Sequence, residues 1–213
     1  MRLFGCGFLF ATGLALALAP PALALTLAQL VGGASLPTDS LTLDHFQAVA
    51  VGSADPNFND YAVQVLPDGF RISGPVSATL GETGTLLLSY DVTTTGPGIT
   101  GASLYSSGIA VGSGSQAVVA ESLSGPGNTA LGTLVVYDVA GVGSVPVASA
   151  SFGPVSELSV AKTMQVKSGL FAAVPFVDQR FVVVPEPITF FLLGAGMMGL
   201  FVSGSHRHER REE

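Results

Sequence analysis

Between residues 25 and 184 several stretches carry apolar side chains at every second position. Leu86, Leu88, Tyr90 and Val92 alternate with Leu87, Ser89 and Asp91. Leu158, Val160, Met164 and Val166 alternate with Ser159, Ala161, Thr163, Gln165 and Lys167, and Lys162 is the one misfit in that run. A period of two puts one set of side chains on one face of an extended strand. Residues 130–139 and 177–184 are rich in β-branched and aromatic residues, which favour a pleated surface. Further strand candidates are 41–51, 61–66, 69–73 and 116–123. Turn signals separate them: Pro67-Asp68-Gly69, Gly96-Pro97-Gly98, Gly125-Pro126-Gly127-Asn128 and Gly153-Pro154. Helical spacing is confined to Leu25–Val31, and the Gly/Ser-rich stretch 106–116 reads as a loop or weak edge strand. Eight to ten short strands at this spacing predict an all-β fold, an antiparallel β-sandwich of jelly-roll-like kind. No internal repeat is found.

The single cysteine, Cys6, lies ahead of this domain. The domain therefore has no disulfide, no thiolate metal ligand and no cysteine nucleophile. Eight Lys and Arg against fifteen Asp and Glu give a net charge of −7, which argues against a nucleic-acid partner.

Both flanks of the domain read as targeting segments. Residues 1–24 carry Arg2, an uncharged apolar run from Leu3 to Ala19, two helix-breaking prolines, and Ala22-Leu23-Ala24. That is a signal peptide with an A-x-A site, in which Ala22 and Ala24 present small side chains to signal peptidase. Cleavage is expected before Leu25, with Ala19 as a second end point; an uncleaved anchor is the alternative. Cys6 precedes the apolar run, so it is not placed as a lipid-accepting cysteine would be.

Residues 188–205 contain no charge. As a helix they reach about 27 Å, close to the hydrocarbon thickness of a bilayer. His206-Arg207-His208-Glu209-Arg210-Arg211 follow, and Arg207, Arg210 and Arg211 form a basic cluster that favours the cytoplasmic side. The domain is then expected on the periplasmic side, anchored in the inner membrane by this helix. Gly194, Gly196 and Gly199 satisfy G-x-G-x-x-G, yet the flanks are apolar and the βαβ context is missing. Small residues that let membrane helices approach are the better reading.

Pro185-Glu186-Pro187, the apolar helix and the basic cluster follow one another in residues 185–211. In that order and spacing they resemble the PEP-CTERM sorting signal, carried by exported proteins of Gram-negative bacteria that have an exosortase. The resemblance implies that an exosortase recognises Pro185, Glu186 and Pro187, cuts nearby and releases the domain to the cell surface or beyond. It also implies an association with exopolysaccharide and biofilm, and so exopolysaccharide as a candidate partner. Both prolines fix φ and keep the preceding residue extended, as a bound peptide requires.

Chemistry inside the domain is sparse. His45 is its one histidine and falls in a predicted strand. A Ser-His-Asp arrangement is open on composition, but no G-x-S-x-G elbow places a nucleophile. Asp55, Asn57, Asn59 and Asp60 place oxygens as at the start of a calcium loop. Position 6 is Asp60 and position 12 is Leu66, so this is not an EF-hand, and an Asx turn competes with a non-standard calcium site. No other cofactor is expected. Phe58, Tyr61, Phe70 and Tyr105 are the aromatics available for stacking on sugars, with core packing as the default role. The expectation is a non-enzymatic surface or matrix protein. The alternatives are a secreted carbohydrate-binding module, with aromatics in a row on one sheet face, a protein left in the membrane, or a hydrolase with His45 or paired acids in a cleft.

Overall fold

The computed structural model describes residues 25–184. The signal peptide (1–24), the PEP motif (185–187), the membrane segment (188–205) and the basic tail (206–211) lie outside the described residues. Among the described residues no helix is long and apolar enough to cross a membrane.

The period-two segments become strands. In chain order they are β1 (Leu25–Thr26), β2 (Leu36–Pro37), β3 (Leu41–Gly52), β4 (Ala62–Leu66), β5 (Gly69–Thr79), β6 (Thr83–Thr94) and β7 (Ile99–Ser106). They continue as β8 (Ile109–Val111), β9 (Gln116–Gly125), β10 (Thr129–Val139), β11 (Gly143–Val145), β12 (Val147–Val155), β13 (Glu157–Lys167) and β14 (Phe171–Val183). Two seven-stranded antiparallel sheets result. The first runs β1-β4-β5-β14-β7-β12, with β8 also paired to β14; the second runs β11-β10-β9-β13-β6-β3-β2. The chain changes sheet repeatedly, so the two layers are woven together.

The strands outnumber the eight to ten expected for physical reasons. β1, β2, β8 and β11 are only two or three residues long, too short to show a period. β7 and β12 are rich in Gly, Ala and Ser and carry little hydropathy contrast. β14 starts six residues before the run visible in sequence, because Pro175 interrupts it. The register shifts between Val174 and Phe176, so Pro175 sits at an irregularity where its missing N–H costs no ladder bond. The weak-edge reading of 106–116 is met by β8, which pairs Ile109 with Ala173. A short helix α1 (Leu27–Val31) opens with a capping box in which Thr26 and Gln29 bond each other's backbone.

Inward residues of both sheets form one core, including Leu43, Leu86, Leu88, Val92, Leu104, Val119, Leu123, Val160, Val166 and Phe181. Phe46, Phe70 and Tyr90 lock the layers together. Phe46 stacks on Tyr90 at 5.0 Å between centroids, and Phe70 meets Tyr90 edge-on at 5.2 Å.

Lys162, the misfit of the β13 alternation, points inward with its neighbours and is buried. Its Nζ lies 2.6 Å from Glu121 Oε2 on β9 and donates to Gln179 Oε1 on β14 at 2.5 Å. Glu121 and Lys162 are cross-strand partners in one sheet, and Gln179 reaches them from the other. Burial lowers the Lys162 pKa, and the Glu121 carboxylate opposes that fall. Burial next to Glu121 pushes the Tyr90 phenol well up. Glu121 Oε1, Gln179 Nε2 and Tyr90 Oη have no hydrogen-bond partner. Each such buried group costs about 1–3 kcal/mol.

Two predictions follow from this packing. At Gly69 the backbone of β5 lies against Gln179 O, Gln179 C and the Arg180 Cα of β14, where a Cβ does not fit. Gly69→Ala should destabilise the domain by about 1–3 kcal/mol or more in urea denaturation; an unchanged midpoint would contradict the close approach. Tyr61 is buried and donates to Asp55 O at 2.9 Å. Burial, then the Asp55 charge, push its pKa from 10.0 up to about 12. A raised folded-state pKa means that this contribution to stability is intact below pH 10.0 and is lost as pH climbs toward about 12. The phenolate absorbance that distinguishes the wild type from Tyr61→Phe should appear only near the upper end of that window.

Candidate functional site

The outer faces of the two sheets carry two distinct clusters. On the β9-β13-β6-β3 face a groove of about 310 Å³ is floored by Ser89, Ser122, Ser124 and Ser159. His45 and Gln47 line it from β3, and Asn128 lines it from the turn after β9. Short hydroxyl side chains leave the floor low, which is why a hollow exists on a sheet face.

His45 reaches this groove through a bulge. Asp44 pairs with Asp91 and Gln47 with Ser89, so His45 and Phe46 together oppose Tyr90 alone. His45 takes φ = 52°, a left-handed conformation uncommon for a side-chain-bearing residue. The extra residue restores the phase of the strand: Leu41 and Leu43 point inward before it, and Phe46 is buried after it. His45 is thereby turned out, with its side chain 75% exposed.

Its Nδ1 lies 3.1 Å from Asp91 Oδ2 and 3.2 Å from Asp44 Oδ1. Ser159 Oγ donates to the other oxygen of Asp91 at 2.6 Å. Asp44, His45 and Asp91 each present one ligand atom within 4.8 Å of the others, a nitrogen and two oxygens able to hold a divalent cation. The order of contacts differs from that of a nucleophilic relay. Asp91 stands between the hydroxyl and the imidazole, so Ser159 is tied to a carboxylate and not to a base. The acids of this cluster are therefore not dispersed, as a surface of solvated charges would have them. Of the two carboxylates, however, Asp91 lines the groove and Asp44 does not.

The calcium-loop candidate folds on itself. Asp55 Oδ1 accepts from the Asn57 N–H at 2.8 Å, and Asn57 Oδ1 accepts from the Asn59 backbone N–H at 3.3 Å. Asn57 Nδ2 donates to Asp60 Oδ2 at 2.9 Å. Asp55 Oδ1, Asn57 Oδ1 and Asp60 Oδ2 are thereby engaged in the loop's own hydrogen bonds around the 3-10 turn Phe58–Asp60.

The four candidate aromatics separate. Tyr61 and Phe70 are core residues. Phe58 is half-buried and packs on Tyr61 at 6.2 Å. Tyr105 is 38% exposed, and its ring lies 5.7 Å from that of Phe176, tilted by 36°. The Arg71 guanidinium sits 4.2 Å above the Phe176 ring. Arg71 is clamped by Asp178 through Nε–Oδ1 and Nη2–Oδ2 contacts of 2.5 and 2.8 Å. The Asp178 hydrogen bond raises the guanidinium pKa further. Register brings these residues together: Asp178 of β14 pairs with Tyr105 of β7 on one side and with Arg71 of β5 on the other.

Sequence reading found His45 and Tyr105 but not their neighbours. Asp91, Ser159, Arg71, Phe176 and Asp178 come from strands far apart in the chain, and no local spacing announces them. Lys162 did give a local signal, as a charge in an apolar phase, and Glu121 gives the same signal in Ala117-Val119-Glu121-Leu123.

No curated protein matches the chain. The solved structure of TmCBM61 in complex with beta-1,4-galactotriose is similar at a TM-score of 0.39 and 11% identity, over 66% of this chain and 89% of that one. The enzymatically active domain of bacteriophage CBA120 tailspike protein 4 is similar at 0.29 and 11%, over 68% of this chain and 20% of that one. A structure from the carbohydrate-binding modules of the beta-sandwich super family is similar at 0.28 and 13%, over 67% and 56%. Residues 183–207 match the family described as the PEP-CTERM protein-sorting motif, and the chain thus carries a PEP-CTERM sorting signal directly after its β-sandwich.

Proposed function

We propose that this protein is an exosortase substrate whose β-sandwich is exported, held transiently at the inner membrane on the periplasmic side, and released by processing to the cell surface or matrix, where it acts by binding. One observation carries the reading: the fold closes where the sorting signal opens. β14 ends at Val183, and the Val184 N–H bonds Gly98 O at 2.9 Å, one residue before Pro185. Cleavage at Pro185-Glu186-Pro187 therefore leaves both sheets whole. A cut a few residues earlier would take the end of a strand that lies between two others. At the other end Leu25 already pairs with Val63, so removal of a signal peptide at Ala24 also spares the fold.

A binding role draws support from Tyr105 and Phe176. The exposed Tyr105 ring, beside Phe176 and the fixed Arg71–Asp178 pair, offers a face for sugar C–H groups, and the guanidinium offers donors for hydroxyls. An exposed ring next to a charged pair on one sheet face supports a polysaccharide-binding reading, in a protein whose sorting class is associated with exopolysaccharide. A non-enzymatic role fits the Asp91-centred contacts of Ser159 and His45.

Two experiments test these statements. Intact masses of membrane and released fractions, from cells with and without the exosortase, should show a released form beginning near Leu25 and ending near Pro185–Pro187 only when the enzyme is present. A product that keeps Ile188–Glu213 in both strains would make it a standing membrane protein. In affinity electrophoresis through matrix polysaccharide from the producing cells, the wild-type chain should be retarded. Tyr105→Ala should abolish the retardation, and Val142→Ser, at an exposed site on the loop before β11, should not. Equal mobility of wild type and Tyr105→Ala would remove the aromatic pair from the binding reading.

A further inference from the structure

We propose that Lys162 and Gln179 become joined by an isopeptide bond inside the folded domain, with Glu121 as the group that moves the protons. The reacting groups are already assembled. Lys162 Nζ is hydrogen-bonded to the Gln179 side-chain carbonyl oxygen at 2.5 Å and lies 2.6 Å from Glu121 Oε2. All three residues are buried between the sheets, where water does not compete as a nucleophile. The three arrive from three strands, β13, β14 and β9, so the arrangement exists only once the sandwich has closed.

The chemistry balances with no further reactant. Glu121 takes one proton from the Lys162 ammonium, and burial favours that neutral amine. The Nζ lone pair then adds to Gln179 Cδ, and the Cδ–Nζ bond forms. Glu121 receives a second proton from Nζ as it delivers the first to Nε2. The Cδ–Nε2 bond breaks and Nε2 leaves as ammonia. The products are a secondary amide, ammonia and a Glu121 that still holds one proton, which it passes to the ammonia on exit. Nothing is oxidised or reduced.

The unpaired atoms fit this reaction. Gln179 Nε2 is buried without a hydrogen-bond acceptor, and it is the atom that departs. Glu121 Oε1 is buried without a donor, as befits a carboxylate that must accept and release protons. The buried ammonium, met among the described residues only by the polar atoms of Glu121 and Gln179, becomes a neutral amide N–H facing Glu121. Phe70 is the cross-strand neighbour of Gln179.

The test is peptide mapping of the full-length chain purified from the exporting cell and digested, after denaturation, with a Glu-specific protease and then trypsin. A linked protein yields a branched peptide in which Leu158–Lys167, uncut at Lys162, is joined to Ser168–Arg180. Its mass falls short of the two peptides' sum by one ammonia. Glu121→Gln should give the separate peptides Leu158–Lys162, Thr163–Lys167 and Ser168–Arg180. Those separate peptides from the wild type would overturn the proposal, whatever the folding of any variant. A link short by one water, with Lys162 joined to Glu121, would overturn it equally. Full branching in Glu121→Gln would remove Glu121 from its role.

Discussion

Everything in this domain depends on contact between two sheet faces, because no disulfide is available to hold them. With its only cysteine at position 6, the sandwich must be fixed by what lies in the gap. Most of that gap is filled by apolar side chains from alternate positions, and the stabilisation scales with the area they remove from water. The aromatic trio Phe46, Phe70 and Tyr90 supplies the specific fit, since rings that meet edge-on or stacked tolerate only small displacements. Beside them the protein does something costly. It buries an ammonium, a carboxylate and a primary amide between the sheets and leaves several of their atoms unpaired.

Strands that commit alternate residues to a core are free to vary the other set, and the two outer faces have diverged. One is a low carpet of serines with an imidazole and carboxylates at its edge. The other carries the Tyr105–Phe176 pair and the Arg71–Asp178 clamp. The bulge at His45 serves both sides of its sheet at once. It returns Phe46 to the core, and it turns His45 out over the groove.

Much of this was legible in the sequence, and the reasons are specific. Period two in Leu86–Val92 and Leu158–Val166 named the strands and their buried faces, because hydropathy contrast there is high. The same logic lost β7 and β12, where Gly, Ala and Ser give contrast too weak to read, and it shortened β14 at Pro175. The sorting signal was legible because it is a contiguous motif with a fixed order. The clusters on the faces were not, since each combines residues from strands that only the sheet register brings together. Lys162 is the instructive case. Its misfit was visible, but its meaning required Glu121 at 2.6 Å and Gln179 from the opposite sheet.

The position of β14 has a mechanical consequence. The chain leaves the sandwich along the axis of a strand flanked by β5 on one side and by β7 and β8 on the other. Tension applied beyond Val184, by a membrane helix or by a later attachment, runs along that axis. It loads both flanking ladders in shear, so their hydrogen bonds must fail together and not one after another as in peeling an edge strand. A domain loaded at its C-terminal end would thereby resist mechanical unfolding.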